Sequence, residues 1–80
     1  MTMIPSQILA DNVRRQRGWH RWTQDELVAQ VHDVPHVGHI RWTRTTVAKI
    51  ELGTRGVTTD ELVALAKALN VDIMNLLSAA

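Results

Sequence analysis

Four times along the chain an apolar residue precedes a short polar one, and another apolar residue follows four positions after the polar one. The runs are Trp22-Thr23-Gln24-Asp25-Glu26-Leu27, Trp42-Thr43-Arg44-Thr45-Thr46-Val47, Val57-Thr58-Thr59-Asp60-Glu61-Leu62 and Val71-Asp72-Ile73-Met74-Asn75-Leu76. This is the signature of a helix start. The polar side chain accepts a free backbone N–H of the first turn, and the two apolar residues staple across it. Glu26 and Glu61 stand three residues after their threonines and complete capping boxes. Thr46 stands where the second run would want an acid, and Asp72 is the expected cap of the last run.

A further helix opens the chain. Ser6 can cap it after Pro5, Leu9 and Val13 share a face, and Gly18 is the expected stop. Leu62, Leu65, Ala66 and Leu69 form one stripe that ends near Asn70, whereas the run after Trp42 turns only Val47 and Ile50 inward before Gly53. No period-two alternation is sustained. The pattern predicts an all-α chain of five helices: Ser6–Arg17, Gln24–Val31, Arg44–Glu51, Thr59–Leu69 and Ile73–Leu77. The expected core is Leu9, Val13, Trp22, Leu27, Val31, Val47, Ile50, Leu62, Leu65, Ala66, Leu69, Val71, Ile73 and Leu76, with Met74 and Leu77 completing it or forming a dimer surface. Trp19 either packs over the end of the first helix or serves as a stacking or interface residue. Pro35 and Gly38 keep His32–Arg41 out of helix.

Composition narrows the function. The 80 residues make one domain, and 45% hydrophobic residues are enough for a small core but leave little room for a closed catalytic pocket. There is no cysteine, which excludes a disulfide scaffold and cysteine-ligated zinc and fits a reducing compartment. No apolar run approaches the roughly 20 residues of a membrane span, and the start lacks the order of a signal peptide. A glycine-rich phosphate loop is missing too, so no enzyme and no cofactor are expected. The net charge of +1 hides an asymmetry. Residues 1–55 carry eight basic against five acidic residues, and residues 56–80 one against three. The excess is either a solvated surface or the approach side of an anionic partner.

The order of Asn12-Val13-Arg14-Arg15-Gln16-Arg17, Trp22 to Leu27, Thr43 to Glu51 with Gly53 and Arg55, and Leu62 to Val71 resembles the Cro/C1-type (XRE-family) helix-turn-helix domain. The resemblance extends from Ser6 to Leu77. It implies a compact, lambda-repressor-like five-helix bundle that binds double-stranded DNA, with the third helix in the major groove and the second across the phosphate backbone. By that resemblance Arg44, Thr45, Ala48 and Lys49 face base edges. Arginine and lysine suit guanine O6 and N7, and the methyl groups suit thymine. Gln24 takes the phosphate-contacting position at the start of the second helix, with Thr23, Thr43, Thr46, Arg55 and Arg41 as further phosphate contacts. Arg17 and Glu51 occupy positions that pair as a structural ion pair.

The chain also departs from the family. The connection between the second and third helices is about nine residues longer than the usual turn. Val28 stands where alanine is usual, Gln16 replaces an apolar residue, and Gly18-Trp19-His20-Arg21 is an atypical helix end. The long connection is a tolerated loop, a loop that reaches DNA or a partner, or a metal site from His32, Asp33, His36 and His39, which Pro35 disfavours by breaking the helix. No metal is therefore expected. The resulting expectation is a bacterial or phage transcriptional regulator, cytoplasmic and nucleoid-associated. It would bind as a homodimer to a palindromic operator, with no separate effector domain. The alternative is an antitoxin-like module that binds a partner protein first and DNA second. Histidine protonation in mild acid would add positive charge and tighten DNA binding.

Overall fold

The computed structural model describes residues 7–35 and 40–78. They form five helices, α1 (Gln7–His20), α2 (Gln24–His32), α3 (Arg44–Glu51), α4 (Thr59–Leu69) and α5 (Ile73–Leu77). The last three coincide with the expected spans, and α2 runs one residue further. The expected Ser6 cap, and His36 to His39 of the long connection, lie outside the described residues.

Local chemistry sets where the helices begin. Thr23 Oγ1 accepts the Glu26 N–H at 3.1 Å while Glu26 Oε1 accepts the Thr23 N–H at 2.8 Å, a complete capping box on α2. Thr58 and Glu61 repeat it on α4 at 3.2 and 2.9 Å. On α3 the reciprocal bond is longer: Thr46 Oγ1 accepts the Thr43 N–H at 3.3 Å, because a hydroxyl reaches back less far than a carboxylate. Asp72 stands at the N-cap of α5, but its side chain makes no capping hydrogen bond, contrary to the sequence expectation. Its backbone carbonyl closes that turn by accepting the Asn75 N–H at 2.9 Å.

Three helices end in the same kind of corner. Arg21, Gly53 and Asn70 have φ of 57°, 78° and 58°. After α1, Trp22 N–H reaches Arg17 O at 3.2 Å and Arg21 N–H reaches Gly18 O at 3.0 Å. The equivalent bonds after α3 and α4 are 3.1 and 3.0 Å, and 2.9 and 3.2 Å. These are Schellman closures, which satisfy carbonyls that the last turn leaves free. Gly18 does not stop α1 at Arg17, as the sequence pattern predicted. It lies within the helix, and the left-handed corner falls three residues later on Arg21.

The core gathers between α1, α2, α3 and α4, with α5 closing it against α1 and α4. Leu9, Val13, Leu27, Val47, Leu65, Leu69 and Leu76 are fully buried. Three core expectations fail: Ile73 faces outward, and Trp22 and Val71 are only partly buried against the core. Of the two residues given alternative readings, Met74 is exposed and Leu77 packs against the core. Trp42, Val57, Ala10 and Ala64 are buried instead. Trp19 is 77% exposed at the end of α1. The ring that stacks there is His20, 4.1 Å from Trp22, with its Nε2 2.7 Å from the Leu69 carbonyl. Buried Asn12 donates to Leu76 O and Ser78 O, both at 2.9 Å, and so fastens α5 to α1. Among the described residues no helix is long and apolar enough to cross a membrane.

Candidate nucleic-acid interface

Successive residues of a helix lie 100° apart, so eight residues are enough to give α3 two distinct sides. Val47, Ile50 and Glu51 point into the protein. Arg44, Thr45 and Lys49 are exposed on the other side, and half-buried Ala48 lies between them. Leu52, just past the helix, extends that outward side and is 68% exposed.

The C-terminal end of α3 is held by charge. Glu51, 4% exposed, receives Arg17 Nε at 2.6 Å on one carboxylate oxygen and the Arg17 terminal nitrogen at 2.9 Å on the other. The hydrogen bonds to Glu51 raise the Arg17 pKa further, outweighing the opposing effect of burial. Arg17 also donates to the Trp22 carbonyl at 2.8 Å. Arg14 donates to the Glu51 carbonyl at 2.8 Å while pairing with Asp11, which places a cation at the negative end of the helix dipole. The one acid of α3 is thereby neutralised and turned away from the exposed side.

The N-terminal end is reached by a side-chain amide. Gln24, the first residue of α2, donates its amide to Glu51 at 3.1 Å and accepts from Arg44 Nε at 3.4 Å. It therefore bridges α2 to both ends of α3. Arg17, Thr23, Gln24, Asp25 and Arg44 line an open cleft at the start of α2, where free N–H groups favour an anion.

Between α2 and α3, Trp42 organises the approach to α3. Its indole is 5% exposed and donates to Glu61 Oε2 at 2.9 Å, with the Arg55 guanidinium 5.8 Å from the ring centroid. Arg55 pairs with Glu61 at 2.9 Å. Burial pushes the Glu61 carboxyl up, but the bonds from Arg55, the Thr58 amide and Trp42 more than offset this and hold its pKa below the ordinary value. The Trp42 backbone N–H donates to His32 Nε2 at 3.0 Å.

The structure thus sorts the residues that the sequence singled out. Arg44, Thr45, Lys49 and Ala48 fall on one outward side of α3. Thr23 and Thr43 are exposed N-caps, Thr46 is the half-buried partner of Thr43, and Arg41 is exposed directly before Trp42. Arg55 is half-buried in its pair with Glu61, so it is less available than a free arginine. Among the described residues no group of three metal-ligating side chains comes together. Sequence reasoning missed the Arg14 contact to Glu51, the clamp on Trp42, the His32 bond and the bridging role of Gln24. Trp42 was legible only as a staple, because its partners lie 10 and 19 residues away.

A family model described as a helix-turn-helix domain matches residues 8–76. No curated protein and no solved structure matches the chain. The matched span runs from the second residue of α1 into α5 and takes in the lengthened connection, so the chain belongs to the helix-turn-helix family as a domain of Cro/C1 type.

Proposed function

We propose that the protein is a sequence-specific DNA-binding transcriptional regulator whose α3 enters the major groove. Arg44, Thr45, Ala48 and Lys49 then meet base edges. Gln24, Thr23, Thr43, Thr46, Arg41 and Arg55 face the phosphates, and the cleft at the start of α2 receives one of them. The observation that carries this reading is the outward side of α3. Arg44 and Lys49 stand exposed there with no carboxylate partner among the described residues, whereas Arg14, Arg17 and Arg55 are each paired with an acid. Cations left unpaired on one side of a short helix are what a polyanion would neutralise.

A homodimer on a palindromic operator, with half-sites roughly 34–36 Å apart, fits a domain of this size. The outward placement of Ile73 and Met74 on α5 supports that arrangement. A second reading, an antitoxin-like module that docks on a partner protein, is favoured by the exposure of Trp19, since indoles are enriched at interfaces.

Selection of bound sequences from a random DNA pool tests the first reading. A symmetric motif, bound with a strong inverse salt dependence, is expected. Failure to bind any DNA below micromolar concentration at low salt would leave the protein-docking reading in its place.

A further inference from the structure

We propose that His32 is a positioning residue for DNA recognition: its neutral imidazole clasps the start of α3 and releases it in mild acid. The proposal rests on the reading of α3 as the helix that meets DNA. Residues 33–43 separate α2 from α3, so the start of α3 is placed by non-covalent contacts, the packing of α2 on α3 and the Gln24 bridge among them.

The closing contact lies beside the connection. The Trp42 N–H donates to His32 Nε2 at 3.0 Å, joining the last residue of α2 to the residue before the α3 cap. Trp42 is therefore pinned twice, by its backbone to α2 and by its indole to Glu61 of α4. The next amide, that of Thr43, closes the first turn of α3 through Thr46, and Arg44 and Thr45 follow at once.

An imidazole nitrogen that accepts a hydrogen bond carries no proton, so this clasp requires a neutral ring with its hydrogen on Nδ1. Imidazoles take up a second proton in mild acid, and both nitrogens then become donors. The Trp42 amide would face a donor and lose its partner. The charged groups around the clasp are Asp33 beside His32, Arg41 beside Trp42, and the Arg55–Glu61 pair on the far side of the indole. Glu61 is held below the ordinary carboxyl range and stays ionised there with Arg55. Asp25 and Glu26 lie at the opposite end of α2.

The predicted sign opposes simple charge gain, which would strengthen DNA binding in acid. The test measures affinity for a selected DNA site at pH 8 and pH 5.5 for the wild type, His32→Gln and His32→Ala. Glutamine keeps an acceptor without titrating. On acidification the wild type should lose about three- to ten-fold in affinity relative to His32→Gln, the scale of one hydrogen bond, and His32→Ala should be weaker than His32→Gln by a similar factor at pH 8. Matching pH profiles for the wild type and His32→Gln would overturn the proposal. Nitrogen-15 NMR separates this from a failure of the DNA reading, because it needs no DNA. The Trp42 amide shift should follow His32 titration in the wild type and stay constant in His32→Gln, and a static wild-type amide would reject the clasp even if DNA binds.

Discussion

The two ends of α3 are built by different means. At the C-terminal end, Glu51 is gripped by both sides of the Arg17 guanidinium, its carbonyl is bound by Arg14, and Gly53 turns the chain in a left-handed corner. At the N-terminal end the contacts are separate single hydrogen bonds: Arg44 to Gln24 at 3.4 Å, Thr43 to Thr46 at 3.3 Å, and Trp42 to His32 at 3.0 Å and to Glu61 at 2.9 Å. A bidentate guanidinium–carboxylate pair is stronger and geometrically more specific than a single hydrogen bond. The helix is thus held by a bidentate ion pair at one end and by single hydrogen bonds at the end where base edges are proposed to be met. A reading element of this kind can keep its place in the fold while its first turn refines its fit.

The comparison breaks most visibly at Glu51. Glu51→Ala strands Arg17 beside a buried site, and Arg17→Ala does the converse; each should cost about 3–5 kcal/mol in chemical denaturation. A loss below about 1 kcal/mol would mean that the pair is no anchor. Arg44→Ala probes the other end. Stability should barely change, while discrimination at one operator position falls by about 1–3 kcal/mol in competition binding; a uniform loss over all sequences would make Arg44 a phosphate contact.

Gly53→Ala should cost about 1–2 kcal/mol in stability. Its φ of 78° is costly for a residue with a β-carbon, and one built there lies 2.8 Å from the flexible Gln7 Oε1. The smallest expected effect is a gain. Arg21→Gly relieves the same left-handed strain at the corner after α1 and should raise stability by about 0.5–1 kcal/mol, visible as a higher denaturation midpoint. No gain would show that the Arg21 side chain offsets its own backbone cost.

What could be read from the amino-acid order alone follows from the range of each interaction. The starts of α2, α3 and α4 rest on bonds spanning three residues, and the threonines and glutamates that make them stand in plain sight. The outward side of α3 was equally legible, being a matter of helical period. The end of α1 was not. Gly18 carries the usual stop residue type, yet Arg21 takes the corner, where His20 stacks on Trp22 and reaches the Leu69 carbonyl. The bridge from Gln24 to Glu51 was not legible, because the two stand 27 residues apart. Asn12 drew no attention for the same reason, its carbonyl partners lying more than 60 residues along the chain.

The three indoles sit at graded depths: Trp19 is 77% exposed, Trp22 is at the rim, and Trp42 is 5% exposed against a carboxylate and a guanidinium. The protein therefore contains its own optical gauges. A collisional quencher in the solvent reaches Trp19 at once and Trp42 last, so the shielded, shorter-wavelength part of the emission reports on the joint in front of α3 without any added dye.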